Sequence, residues 1–136
     1  MMISTKGRYA LRVMIDLAQN NTGKFISLKD VANRQDISMK YLEMIVAILN
    51  KGKLLESQRG KAGGYRLVKN TEQYTIGEIL NLTEGTLVPV NCLEKNGKTC
   101  EKAQECMTLP LWQKLDAVIE DYLNSVTLQD LIDKKL

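Results

Sequence analysis

Three glycines within five residues, Gly60, Gly63 and Gly64, join two short apolar segments, Leu54–Ser57 and Tyr65–Val68. Glycines in so short a connection point to a β-hairpin whose backbone takes positive φ. The connection, Gln58-Arg59-Gly60-Lys61-Ala62-Gly63-Gly64, also carries Arg59 and Lys61, which no turn requires. A hairpin with a basic tip is a strong constraint once the preceding segment is read beside it.

That segment holds three helices. Ala10, Val13, Met14, Leu17 and Ala18 recur at helical spacing behind Ser4 or Thr5 as N-cap, and Asn20 to Gly23 stop the helix. Ser27-Leu28-Lys29-Asp30 resembles a capping box and opens a short helix through about Arg34. Gln35-Asp36-Ile37 connects tightly to Ser38, which caps a third helix with a buried stripe of Leu42, Ile45, Val46 and Leu49; Gly52 ends it. Helix, short turn and helix form a helix-turn-helix, and a basic hairpin after it describes a winged helix. The fold class expected is mainly α with a small β wing.

Charge divides the chain in the same way. Up to Thr71 there are 13 Lys/Arg against 5 Asp/Glu, a balance of +8, and from Glu72 onward 6 against 11, a balance of −5. A basic half attracts a polyanion and an acidic half repels one. In a winged helix the third helix enters the major groove with its N-terminal residues towards base edges. Those residues are Ser38, Met39, Lys40, Tyr41 and Glu43. Lys40 is suited to phosphate or guanine, and Glu43 to cytosine N4. Arg59, with Gly60 and Lys61 at the wing tip, suits a narrow minor groove. Lys6, Arg8 and Arg12 are candidates for phosphate contacts. The partner expected is double-stranded DNA.

The second half opens with Thr75-Ile76-Gly77-Glu78, another capping box, and a short helix carrying Ile79 and Leu80. Periodicity then lapses until after Cys106. A long apolar helix follows, with Trp112, Leu115, Ile119, Tyr122 and Val126 spaced 3-4-3-4, Leu111, Val118 and Leu123 widening the stripe, and Pro110 in its first turn. Such a helix on a small domain points to a homodimer seam, with packing on its own domain as the alternative. Thr127 to Asp130 cap a last short helix. The organisation expected is a winged-helix domain over 1–82, a cysteine-containing sensor loop over 83–107, and the dimerisation helix with its short successor over 108–136.

All three cysteines, Cys92, Cys100 and Cys106, lie in that loop, and the chain has no histidine. Thiolates are soft ligands suited to Fe–S clusters, zinc or copper(I), and the spacing lacks the short C-x-x-C of zinc ribbons. Free thiols near Lys95, Lys98 and Lys102 would instead react readily. The chain has no run of eighteen apolar residues and no apolar leader, so the location expected is the cytoplasm, with thiols reduced. With no histidine, no phosphate loop and no paired-carboxylate motif, the chain does not read as an enzyme.

Ser4-Thr5-Lys6-Gly7-Arg8-Tyr9-Ala10, Ile37-Ser38 with Tyr41-Leu42-Glu43, Arg59-Gly60 with Gly63-Gly64-Tyr65, then Trp112 and Asn124-Ser125-Val126-Thr127-Leu128 together closely resemble the IscR-type transcription regulators, a family that includes NsrR and CymR. The resemblance covers nearly the whole chain. It implies a homodimer with a crossing helix from each subunit, a palindromic operator, Tyr41 and Glu43 in the major groove and Arg59 in the minor groove. Lys40 and Met44 depart from the IscR pattern. The resemblance further implies an Fe–S cluster, 2Fe–2S ahead of 4Fe–4S, held by Cys92, Cys100 and Cys106. Its fourth ligand stays open: the IscR-like histidine position is Leu109, the NsrR-like aspartate position is Arg8, and Glu94, Glu101 and Glu105 are unranked candidates.

The function expected is a dimeric DNA-binding transcription regulator that senses through the cluster and controls Fe–S biogenesis genes. The alternatives are a repressor of cysteine or sulfur metabolism controlled by thiol redox or a partner protein, and a repressor responsive to nitric oxide. A winged-helix interaction module without DNA is the third class.

Overall fold

The computed structural model describes residues 2–94, 102 and 104–136. In chain order the elements are α1 (Thr5–Gln19), α2 (Leu28–Gln35), α3 (Met39–Lys51), β1 (Leu55–Gln58), β2 (Gly64–Leu67), α4 (Ile76–Glu84), α5 (Leu109–Ser125) and α6 (Leu128–Asp133). Single 3-10 turns lie at Thr71–Gln73 and Asn91–Leu93. The chain is mainly α with a small β wing.

Hydroxyl caps start most of the helices. Ser4, Ser27, Ser38, Thr75 and Thr127 each accept a hydrogen bond from the backbone N–H three residues on, satisfying one orphan donor of the helix. Only the last of these with a capping-box sequence closes the reciprocal bond, the Thr127 N–H donating to Asp130 Oδ2 at 2.9 Å. The Glu78 carboxylate turns instead to Lys69 Nζ, at 3.0 and 3.1 Å. Between α2 and α3, Asp36 takes the left-handed conformation, φ 54°, which a short polar side chain tolerates. That one residue turns the chain, and Ile37 beside it is buried.

The wing is antiparallel, with Leu55 opposite Leu67 and Gln58 opposite Gly64. Each strand lies one residue away from the apolar segments Leu54–Ser57 and Tyr65–Val68. The cause at the first strand is Leu54, whose N–H donates to Leu49 O at 3.0 Å and whose side chain enters the core, so it closes the turn after α3. A further edge comes from Ile26, which exchanges two 2.9 Å backbone bonds with Tyr65.

The core is built from the inner faces of α1 and α3, with Val13, Met14, Leu17, Leu42, Ile45 and Leu49 almost fully excluded from solvent. Leu128 of α6 belongs to the same core. Thr127 pairs with Thr75 as an isolated bridge, and the Leu128 N–H donates to Tyr74 O at 2.9 Å. Residues beyond Val126 therefore return to the head of their own chain, although the sequence groups them with α5.

Helix α5 packs on α4. Gly77 allows this, because a Cβ there would collide with the Asn124 side chain. No residue of α5 is fully buried. Trp112, Ile119 and Leu123 are half-buried, while Leu111, Leu115, Val118 and Tyr122 are exposed, Leu111 at 58% and Tyr122 at 56%. The solvent-facing apolar line thus runs 111-115-118-122, displaced from the 112-115-119-122 line of the sequence, because the side that carries Leu123 rests on the chain's own head.

Candidate nucleic-acid interface and cysteine segment

The solvent side of α3 carries Met39, Lys40, Glu43, Met44 and Ala47, all exposed. Ser38 is exposed at the start, but its hydroxyl is committed to the Tyr41 N–H at 3.2 Å. Among the described residues neither Lys40 nor Glu43 engages in an ion pair, so both side chains are available to an outside partner. Tyr41 is half-buried, its ring edge-on to Tyr9 with centroids 5.7 Å apart. The face of Tyr9 is in turn covered by the Arg12 guanidinium at 4.8 Å.

Arg12 does more than its sequence position indicates. Its guanidinium donates to the Gln35 backbone carbonyl and side-chain oxygen, fastening α1 to the end of α2. Gln35 Nε2 donates to Asp16, and Arg34 donates to both Asp16 oxygens at 2.8 and 3.0 Å. This ion pair holds the Arg34 guanidinium above its ordinary pKa. Asp16 sits on the buried side of α1, 2% exposed. The pattern of apolar residues gives no sign of it, since its partners lie 18 and 19 positions away. Lys6 is half-buried at the beginning of α1, and Arg8 is exposed with its guanidinium on Thr5 Oγ1 at 3.0 Å.

At the wing tip Arg59, Gly60 and Lys61 are exposed; Arg59 directly precedes the turn Gly60–Gly63, which is closed by the Gly63 N–H donating to Gly60 O at 3.0 Å. Gly60 has φ 103°, a conformation that costs a side-chain-bearing residue energy. Gly64, φ 148°, lies against the Ile26 carbonyl with no room for a Cβ.

Cys92 is exposed within the 3-10 turn Asn91–Leu93. Cys106 is half-buried just ahead of α5, its Sγ 3.3 Å from Thr108 Oγ1. Hydrogen bonds from the Thr108 side chain and from the backbone of Thr108 and Leu109 hold this thiol below its usual pKa. The thiolate is the form that ligates a metal. Cys100 and Glu101 lie outside the described residues, so the three-thiol set is only partly in view. Among the described residues no three carboxylates or thiols gather as a metal site. Donor chemistry nonetheless fits a thiophilic group, with two accessible sulfurs, one predisposed to ionise, and no imidazole in competition.

Next to this segment, α4 and α5 enclose an open cleft of about 660 Å³ that carries the carboxylates of Glu84, Glu94, Asp116 and Glu120. An acidic lining repels a phosphate backbone, which separates this end of the molecule from the basic wing. Glu84 also reaches back to α1, accepting from the Ser4 hydroxyl at 2.6 Å across 80 positions of sequence. No helix among the described residues is long and apolar enough to cross a membrane.

The same architecture and sequence recur in known proteins. The family model Rrf2, described as an iron-dependent transcriptional regulator, matches residues 3–134. The HTH-type transcriptional regulator IscR of Cronobacter sakazakii is 35% identical over 99% of this chain and 82% of its own length. CymR, the global cysteine regulator of B. subtilis, superposes with a TM-score of 0.79 at 36% identity, covering 100% of this chain and 99% of that one. IscR of T. potens does so with a TM-score of 0.73 at 33% identity, covering 100% and 89%. These relatives match the winged helix end to end and are named as transcriptional regulators, not as enzymes. The chain belongs to the Rrf2 family of DNA-binding transcriptional regulators.

Proposed function

We propose that this regulator acts as a homodimer on a palindromic operator, and that an Fe–S cluster held by Cys92, Cys100 and Cys106 sets its operator affinity. In this reading α3 lies in the major groove with Lys40, Tyr41 and Glu43 towards base edges. Arg59, Gly60 and Lys61 approach the minor groove, and Lys6 and Arg8 neutralise phosphates. The observation that carries it is the solvent face of α3, where Lys40 and Glu43 stand exposed without an ion-pair partner among the described residues. The 4-3-4 spacing of the outer apolar line Leu111, Leu115, Val118 and Tyr122 supports the dimer, because it is the periodicity of a helix–helix seam.

The cluster, 2Fe–2S ahead of 4Fe–4S, would supply sensitivity to iron, oxygen or nitric oxide through its assembly and loss. Its fourth ligand is not a histidine, and control of Fe–S biogenesis genes in the cytoplasm is the role that follows from the likeness to IscR. A second reading is favoured by Cys106, whose thiol is already predisposed to ionise, and by the likeness to CymR. It makes the protein a thiol-redox or partner-controlled repressor of sulfur metabolism with no cluster.

Anaerobic purification of the full chain separates the two. Iron, acid-labile sulfide and a visible absorption band are expected in the wild type and lost in Cys100→Ala, with operator affinity differing before and after cluster loss. A colourless, iron-free wild type overturns the cluster and leaves the thiol reading. DNA binding itself is read from a salt series on duplex DNA, where the logarithm of affinity falls linearly with that of salt. A flat response overturns it.

A further inference from the structure

Leu42, Ile45, Val46 and Leu49 define the buried line of α3. At about 100° of rotation per residue, the line diametrically opposite passes through Lys40, Met44, Ala47 and Lys51. All four are exposed. The two inner members of this outermost line, between its terminal lysines, are therefore apolar. Met44 is 43% exposed and joins neither apolar core of the head. Met39 is also exposed, but it lies closer to the buried line, in the first turn.

The outermost line of a recognition helix is the part that meets the floor of the major groove. Only one base presents an apolar group there, the C5-methyl of thymine. An unbranched thioether is well suited to it, because its three rotatable bonds let it follow a small apolar target. Lys40, one turn earlier on the same line, presents an ammonium to guanine O6 and N7, while Glu43 stands about 60° to one side.

We propose that Met44 is a specificity-determining residue that reads a thymine methyl in each operator half-site, with Ala47 extending the apolar contact. The proposal rests on the placement of α3 in the major groove. It makes the operator preference of this chain depend on a group that carries no hydrogen bond.

Replacing thymine by deoxyuridine deletes the methyl and nothing else, which provides the test. An operator is first selected from random duplexes with the full-length wild type, and each symmetric thymine pair is then replaced in turn. At one pair, wild-type affinity is expected to fall about fourfold per half-site, the contribution of one buried methyl-sized group. Met44→Ala is expected to lose a similar factor on the thymine operator and to be indifferent to replacement at that pair. Met44→Leu should keep most of the sensitivity. The proposal is overturned if no thymine methyl matters, or if its effect is the same in wild type and Met44→Ala. Salt-dependent binding that persists with either result leaves the DNA-binding reading standing. Absence of salt-dependent binding to every duplex removes that reading and this one together.

Discussion

The Asp16 carboxylate and the Arg34 guanidinium meet in a two-pronged ion pair, 2.8 and 3.0 Å, in which the acid is 2% exposed and the base 38%. Its place in the fold explains why a charge interrupts the apolar side of α1. The pair, with Gln35 and Arg12, ties α1 to α2 and so fixes the turn from which α3 departs. Arg34→Ala leaves a buried carboxylate with Gln35 alone. Because the guanidinium is partly solvated, the expected loss is about 1–3 kcal/mol, below that for a fully buried pair. Urea unfolding of the variant measures it, and an unchanged midpoint would show that the pair contributes nothing to the head.

Tyr74 is fully buried, and its hydroxyl donates to Leu54 O at 2.7 Å while accepting from the Val68 N–H at 2.9 Å. Tyr74→Phe strands the Leu54 carbonyl and the Val68 N–H, and removes the 3.3 Å acceptor of the Lys69 N–H as well, at an expected cost of about 1–3 kcal/mol. Burial raises the phenol above its ordinary pKa, only partly offset by the amides of Val68 and Lys69. In the folded protein the proton is therefore held to higher pH than in the unfolded chain. Stability from this group is complete below about pH 10 and is lost as pH rises from there through the raised value. Chemical denaturation between pH 8 and 11 should show this alkaline fall in the wild type and a shallower one in Tyr74→Phe.

Gly60 and Gly64 both have positive φ, yet they should respond differently to alanine. A methyl at Gly60 meets nothing within 4 Å, so only backbone strain of about 1 kcal/mol is expected. At Gly64 the methyl collides with the backbone of Ile26, which cannot withdraw without breaking its two bonds to Tyr65. Gly64→Ala should cost at least ~3 kcal/mol, or detach the wing from the segment before α2. Thermal melts and amide exchange of Tyr65 distinguish these outcomes, and equal effects at the two glycines would refute the distinction.

Val118 lies in the middle of the outer apolar line of α5, 52% exposed. Val118→Asp should leave the head folded, because that side chain enters no core. Sedimentation should then give half the wild-type mass, and affinity for a two-half-site operator should fall at least ~100-fold with the loss of bivalent engagement. A variant that remains dimeric would place the seam elsewhere.

Much of the head is readable from short-range chemistry. The hydroxyl caps Ser4, Ser27, Ser38, Thr75 and Thr127 and the positive-φ Gly60 of the wing turn act within a few residues of where they stand, so their sequence context discloses them. Asp16, Tyr74 and Glu84 do not disclose their roles, because each finds its partner across 18, 20 and 80 positions. The same holds for Arg12, whose partner Gln35 lies 23 positions away. On α5 a heptad-like stripe is evident, but two adjacent apolar sides share it. Only the packing on α4 shows which side the chain keeps for itself. For the candidate site, charge and periodicity locate Lys40, Glu43 and Arg59, whereas the exposure of Met44 emerges only from the three-dimensional helix.

The return of the chain into the head after α5 gives that helix one fixed end. Val126 and Leu128 are held in the two apolar cores and Thr127 is bridged to Thr75, while the other end begins three residues after Cys106. Seventeen residues of α-helix make an arm of about 25 Å. A shift of about 4 Å at the cysteine end is then a swing of only about 10° at the anchored end. In a rigid arm displacement shrinks towards the anchored end, so Leu109 is the far end of the lever and Val126 its fulcrum.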